Sequence, residues 1–462
     1  MPTQVELTEI PMAGRLKQIL FKPFHQFFQL QTSGGILLLV ATLIALFWAN
    51  SPWRDSYEGL WHLPVGLQVG SWRLVHSLHF WINDALMAVF FFVVGLEIKR
   101  ELWVGELSSS KKAVLPFMAA LGGMLLPALF YLAIVGSQPV PAGSSYLSGW
   151  GIPTVTDIAF ALGILALLGD RVPLGLKVFL TALAIIDDLG AIVLIALFYS
   201  QGLQWEALGS VLLILGVLYA LNRLQIRSAL PYTLLGLALW WAILQSGLHT
   251  TLAGVLLAFA IPARSRLNPV DFYERGMVSL KRFQAADLDP QPVLMLTNQE
   301  HQASVQELEL MCEAVQSPLQ QLEHSLHPWV SYGILPLFAL ANAGVQMPSG
   351  GLGEALLHPV GLGVLAGLFL GKPLGIFALS WLAVRLKLAE LPEGVNWPLI
   401  AGAGILGGIG FTMSLFIADL AFSTPDFVNG AKTGVLLASA CAGLVGSLVL
   451  WKLLSATTEA EH

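Results

Sequence analysis

An all-α protein threaded many times through a membrane is the fold class that this sequence predicts, on three observations. Of 462 residues, 56% are hydrophobic and only 11% are charged, whereas a soluble domain carries roughly 25% charged residues. The mean hydropathy is +0.72, and in water so much apolar surface would stand as large exposed patches, so lipid has to be the solvent. Apolar runs long enough to cross a bilayer, about 20 residues each, recur from one end of the chain to the other. Lysine and arginine alternate in density between successive loops, which is the pattern of a multi-spanning chain with one face in the cytoplasm.

About twelve spans are expected. They lie near 33–50, 80–98, 113–135, 148–168, 174–199, 206–222, 229–245, 248–262, 329–346, 359–384, 397–420 and 429–452. The seventh and eighth are short and divide at Gln245–His249. An even count puts both termini on one side. The basic residues from Arg15, Lys17 and Lys22 through Lys99, Arg100, Arg223 and Arg227 to Arg385, Lys387 and Lys452 fall on one face, and only Arg54 and Arg73 on the other. The rich face is therefore cytoplasmic. Residues 1–462 read as one membrane domain, with 1–30 a cytoplasmic N-terminal segment and 453–462 a cytoplasmic tail. The opening residues lack the charged start, apolar core and small-residue cleavage site of a signal peptide, so the first span is expected to direct insertion.

Other readings of composition are quickly exhausted. A net charge of −6 with no basic stripe offers no nucleic-acid footprint. Cys312 and Cys441 are too few and too far apart for a disulfide framework. Residues 263–326 form one extended polar cytoplasmic loop, within which Val305, Leu308, Cys312, Val315, Leu319 and Leu322 recur at helical spacing. That spacing predicts an amphipathic helix lying on the membrane or on the protein, with a partner-binding element as the alternative.

Two spans carry the chemistry of interrupted helices. The fourth reads GWGIPTVTDIAFALG, where Pro153 removes a backbone donor and β-branched residues follow. The eleventh reads GAGILGGIGFTMSLF, where Gly404, Gly407, Gly408 and Gly410 weaken the helical ladder. Non-helical backbone survives at membrane depth only inside protein or along a water-filled cavity. Plain glycine packing between helices is the competing reading.

Ionisable residues within spans cost about 2.5–3.5 kcal/mol each on insertion scales, which makes each one a functional candidate. Asp187 and Asp188 sit mid-way along the fifth span, Asp157 follows Thr156 at the break in the fourth, and Lys372 lies inside the tenth. Adjacent helical residues point about 100° apart, so the two neighbouring aspartates cannot face one small ligand together. One is expected to pair with Lys372, offsetting the cost of burying both charges. The other, with Asp157 and Thr156, is left to offer oxygen atoms, the ligands hard cations prefer. A carboxylate that accepts either a proton or a cation is the simplest basis for exchange. Asp84, beside Asn83 at the entrance to the second span, reads either as a helix N-cap or as an accessory group of the cavity. Lys432 lies near a helix end, where its ammonium can snorkel to the interface.

The segments WINDALMAVFF, TDIAFALG, AIIDDLGAI, the LEH–LHPWV stretch, GKPLGI and GIGFTMSLFIA together resemble the NhaA sodium/proton antiporters over about residues 24–452, a family that is itself a worked case of inverted-repeat architecture. The resemblance implies twelve helices in inverted-topology repeats, with the fourth and eleventh discontinuous and crossing. It implies that Asp188 is the principal carrier of sodium and proton, with Asp187 beside it and coupled to Lys372. Asp157 and Thr156 would sit at the crossing, where Asp157 offsets positive helix ends and Lys372 faces the negative ones. The implied activity is electrogenic, bringing in more protons than the sodium ions it expels. Lithium is also accepted, activity rises at alkaline pH, and the home is a bacterial inner membrane.

The matching pH-sensing positions are Glu97, Arg100, Glu101, Glu323, His324 and His327. No cofactor and no enzymatic activity are implied. The partners are ions, protons and the lipid bilayer, and a homodimer is an assembly the resemblance allows. His249 also matches but reads as a polar loop residue. Two departures stand out: the 263–326 loop is longer than the family's usual one, and Asp419 replaces an expected small residue near the end of the eleventh span. The rival functions are a sodium-coupled solute symporter and an intramembrane aspartyl protease built on Asp157 and Asp188. The protease gives Lys372 no task.

Overall fold

A computed structural model describes residues 33–70, 72–137, 146–200, 202–285, 299–346 and 358–460. The segment 1–30, with Arg15, Lys17 and Lys22, lies outside the described residues. In chain order the helices are α1 (Ser33–Ala49), α2 (Arg54–Trp61), α3 (Leu78–Trp103), α4 (Ser110–Gly136), α5 (Ile158–Leu167), α6 (Leu174–Phe198), α7 (Trp205–Arg223), α8 (Ala229–Ser246) and α9 (Thr251–Ala260). There follow α10 (Pro269–Ala285), α11 (Gln299–Val315), α12 (Pro318–Trp329), α13 (Leu335–Asn342), α14 (Pro359–Arg385), α15 (Trp397–Gly407), α16 (Phe411–Ala421) and α17 (Pro425–Ala460). Between α2 and α3 in sequence an antiparallel hairpin, unforeseen by the hydropathy pattern, pairs β1 (Pro64–Val69) with β2 (Trp72–Ser77).

Among the described residues, eight helices are long and apolar enough to cross a bilayer, or ten if each of two bent pairs counts as one. The expected eighth and ninth spans account for much of the difference. α9 has only 10 residues, and α13 has 8 and follows a π-helical turn at Val330–Ile334. Pro328 and Pro336 bracket that turn, and proline removes the N–H that a regular ladder needs. The boundary at Gln245–His249 is where α8 stops, because Gly247 takes a left-handed conformation with φ of 80° that ends a helix cheaply only for glycine. α1 turns by 117° into α2, so the first apolar run leaves the helix axis after Ala49.

The chain divides into two compact units. The first joins the residues up to Leu63 with Val114–Ala191 and the residues from Ser331 onward. In it α17 lies against α14, α15 and α16, α13 lies against α1, and α14 packs on α15. Gly122 of α4 and Gly375 of α14 meet backbone to backbone, and a Cβ on either would collide with the other's carbonyl. Such small-residue contacts replace the hydrophobic drive that lipid removes.

The second unit joins Pro64–Ala113 with Ile192–Val330. α9 packs along α3, α8 on α7, α12 on α3, and α10 on α11. The predicted amphipathic helix across 305–322 is in fact two, because α11 ends at Val315 and Ser317 opens α12 with a capping box. Its buried face is His301, Ser304 and Met311, leaving Cys312 exposed. Along α11 the stripe is rotated by one residue from the expected one, while Leu319 on α12 is buried as expected.

Gly375→Ala should lower stability by about 2 kcal/mol, the usual cost of forcing volume into a packed contact. Thermal unfolding in detergent checks this against Gly136→Ala, whose new methyl group meets nothing within 4 Å.

Candidate functional site

Two breaks in helical hydrogen bonding face each other in the first unit, one between a 3-10 segment (Tyr146–Thr154) and α5, and one between α15 and α16, which bend by 45°. Each stop frees carbonyls at one helix end and N–H groups at the next, and these groups must be paired when buried. Asp157 is the N-cap of α5, its Oδ1 accepting from the Phe160 N–H at 3.1 Å. Its Oδ2 accepts from the Thr412 N–H at 3.1 Å and from the Thr412 hydroxyl at 2.5 Å. One carboxylate therefore serves the N-termini of two helices, where the partial charges are positive. The Asp157 N–H in turn donates to the Ile409 carbonyl at 2.6 Å, closing the second gap.

The freed carbonyls have their own donors. Lys372 is wholly buried, and its Nζ donates to the Thr154 carbonyl at 2.7 Å and to Asp187 Oδ2 at 2.8 Å. A π-helical turn at Gly367–Gly371 immediately precedes it, and Pro373 follows. The extra residue in such a turn re-aims what comes next, which is why π-bulges gather at functional sites. The Thr156 hydroxyl faces two acceptors, Asp187 Oδ2 at 2.7 Å and the Gly407 carbonyl at 2.9 Å. A hydroxyl has one proton to give, so only one of the two acceptors is served at a time. Of the two freed carbonyl ends, Lys372 bonds that of Thr154, while Thr156 reaches that of Gly407.

Asp187 and Asp188 sit together on α6, buried to 0% and 3% exposure. The choice between them, open in the sequence, is settled geometrically, since Asp187 is the one bonded to Lys372. Asp188 points elsewhere on the helix yet remains within electrostatic reach of the Lys372 ammonium. Thr156, Asp157, Asp187, Asp188 and Lys372 thus gather around two interrupted spans. Asp157 accepts from three donors at the two helix starts, a capping role that an aspartyl-protease dyad would not need.

A second constellation lies in the other unit. Arg100 reaches Glu323 at 2.7 Å and Glu101 at 3.2 Å, with Glu97 at 3.9 Å. The Glu101 carboxylate also accepts from the Glu106 N–H at 3.0 Å, fixing the end of α3. Burial holds the Glu323 carboxyl above its ordinary value, opposed by the Arg100 charge. His324 and His327 are exposed on α12.

The chain is then comparable as a whole with known proteins. The family model described as Na+/H+ antiporter 1 matches residues 25–450. The Na(+)/H(+) antiporter NhaA of Koribacter versatilis is 48% identical over 435 residues, covering 94% of this chain and 92% of the relative. That of Oleidesulfovibrio alaskensis is 49% identical, covering 94% and 95%. This chain belongs to the Na+/H+ antiporter 1 family. A solved sodium proton antiporter from Methanocaldococcus jannaschii aligns over 93% of this chain and 99% of its own, at 14% identity and a TM-score of 0.44.

Within this family member several polar residues take places that sequence reasoning missed. Asp84 is not an N-cap, because Ser77 fills that role for α3 through the Phe80 N–H at 3.2 Å. It sits instead in a π-helical turn at Trp81–Leu86, where Oδ1 accepts from the Thr250 hydroxyl at 2.7 Å. Lys99, counted with the loop charges, is buried and donates to the carbonyls of Phe259 and Ile261 at 2.7 and 2.5 Å, capping α9. Lys432 does not snorkel, for it pairs with Asp419 at 2.8 Å, their side chains 10% and 17% exposed. Thr412 went unnoticed, although its place two residues past Gly410 marked the start of a resumed helix.

Lys372→Ala should cost about 3–5 kcal/mol, because it strands the buried Asp187 carboxylate and uncovers the Thr154 carbonyl. The shift in unfolding temperature, measured beside Lys372→Arg, reads it. A destabilisation no larger than that of Gly136→Ala would contradict the pairing.

Proposed function

We propose that this chain exchanges sodium ions for protons across a bacterial inner membrane, with Asp188 as the carrier. The observation that supports this most is the buried Asp187–Lys372–Thr156 network set beside Asp188 at the two helix interruptions. Four functional carboxylate and hydroxyl groups converge where non-helical backbone demands an enclosed or water-lined space.

Asp188 neutralises its charge either by taking a proton or by holding a sodium ion. Asp187 has its charge balanced by Lys372, so it leaves that competition to its neighbour. Thr156 and nearby carbonyl oxygens complete an oxygen set of the kind hard cations prefer, and lithium fits the same set. Asp157 holds the two helix N-termini in register and keeps their positive ends from repelling the cation. Bringing in more protons than sodium ions requires a second titrating group near the carrier, and the Asp187–Lys372 pair is placed to supply it. Asp84, which accepts from the Thr250 hydroxyl, is an accessory polar group of the second unit. The loop charges set the basic face, and with it both termini, in the cytoplasm, and the spanning helices take the lipid bilayer as their solvent.

Reconstitution tests the proposal. Acid-loaded liposomes holding the purified chain should alkalinise when sodium or lithium is added, with potassium run alongside for comparison. Asp188→Asn should abolish the exchange while the protein still inserts. Normal turnover and sodium affinity in that variant would sink the carrier assignment. Sodium-driven uptake of an organic solute would favour the symporter, and peptide cleavage without ion flux a protease.

Alkaline activation is proposed to arise at Arg100 and its three carboxylates, with His324 and His327 alongside. Glu323 keeps its proton to higher pH than an ordinary carboxyl, so its ionised pair with Arg100 forms as pH rises through that raised value and is lost as pH falls. Glu323→Gln mimics the protonated state at every pH. Its activity profile should therefore move toward alkaline pH, and an unmoved profile would remove Glu323 from the sensor.

A further inference from the structure

The helix α10 carries an apolar face that nothing in the described residues covers. Val270, Tyr273, Met277 and Leu280 are 65%, 68%, 39% and 51% exposed. At 100° per residue they fall within an arc of about 80°. This is not the face that meets α11. The contact face holds Gly276 and Ser279, both buried, and ends in Phe283 stacked on His301 at 4.3 Å. The His301 Nε2 donates to the Phe283 carbonyl at 3.1 Å, and Arg282 pairs with Glu307 at 3.5 Å. The hairpin of α10 and α11 is thus held together without the stripe, and the stripe is left over.

Three observations say what should cover it. The segment from Arg264 to Arg282 holds Arg264, Arg266, Arg275, Lys281 and Arg282 against Asp271 and Glu274, a clear positive excess. Lys281 lies only about 20° around the helix from Val270, at the border of the stripe, with Glu274 about 20° further on. The root of the hairpin is tied to the end of an apolar helix, since the N–H groups of Arg266 and Leu267 donate to the Ala314 carbonyl at 2.9 and 3.0 Å, and that of Leu319 to the Pro262 carbonyl at 3.3 Å. Pro262 lies two residues beyond the end of α9. The first turn of α10 is therefore leashed to the point where an apolar helix of a membrane protein ends.

We propose that α10 is an interfacial helix that lays Val270, Tyr273, Met277 and Leu280 into an anionic lipid surface. An apolar helix face carried on a basic segment binds such surfaces through buried area and charge together, and anionic headgroups attract basic segments close to the bilayer. Tyrosine suits this depth because its ring is apolar and its hydroxyl is wet. The role is separate from ion exchange and stands or falls without it.

The test uses the full chain with its exposed Cys312 and Cys441 replaced by serine. A nitroxide is attached through Met277→Cys in one preparation and through Arg275→Cys, on the opposite face, in another. In vesicles of phosphatidylglycerol and phosphatidylcholine, the ratio of oxygen to nickel-chelate accessibility should be at least about threefold higher at 277 than at 275. The difference should shrink in pure phosphatidylcholine, and again on Lys281→Glu. A label at 277 open to nickel in every vesicle would place the stripe in water and overturn the proposal. Protection from both reagents would place protein over the stripe and overturn it as well. An oxygen preference indifferent to vesicle charge would refute the anionic surface.

Discussion

Backbone that leaves the helical ladder inside a membrane has to find every hydrogen bond elsewhere. That requirement organises the first unit. At the two interruptions, Lys372 takes the Thr154 carbonyl and Ser414 takes that of Ile152. Thr156 reaches Gly407, while Asp157 serves Phe160, Thr412 and Ile409. Ser439 accepts from the Phe411 N–H. The residues that repair the backbone are largely the ones whose chemistry suits an exchange site. The interruptions and the ionisable groups therefore depend on each other: without the breaks the charges would have no polar surroundings, and without the charges the breaks would leave unpaired groups in lipid.

Two of the buried lysines make the point by contrast. Lys99 and Lys372 both place an ammonium on carbonyls at a helix end, a favourable position against the negative end of the dipole. Lys99 stops there and works as a cap on α9. Lys372 has Asp187 as an additional partner, which links the cap to a titratable group and to Thr156. The same local device supports packing in one unit and chemistry in the other.

Most of the spans were legible because lipid imposes a length and an apolar composition that no soluble fold imitates. The helix breaks were legible from Pro153 and from the glycine run at 404–410, since both weaken the ladder locally. Asp157, Asp187, Asp188 and Lys372 stood out because charge is so scarce in the spans. Less was legible where a residue's role depends on its neighbour. Lys99 counted as a loop charge until α9 was found to end against it. Asp419 was only an unexpected charge near a span end until Lys432, from the next helix, met it. The stripe across 305–322 was read as one helix because its period survives the stop at Val315, and only the capping box at Ser317 reveals two. The hairpin at 64–77 is short and weakly patterned, so its register comes from pairing and not from hydropathy.

By itself the sequence determined that this is a helical membrane protein, which face is basic, where two helices fail, and which ionisable residues lie at membrane depth. Each of these follows from a residue's own transfer cost or backbone preference, quantities that need no partner to be evaluated. Tertiary structure decided which aspartate pairs with Lys372, which carbonyl each donor serves, and that one carboxylate joins the N-termini of α5 and α16. It also decided which apolar face of the 263–326 segment is packed and which is left over. Those are questions of distance between residues far apart in the chain, and only packing fixes such distances.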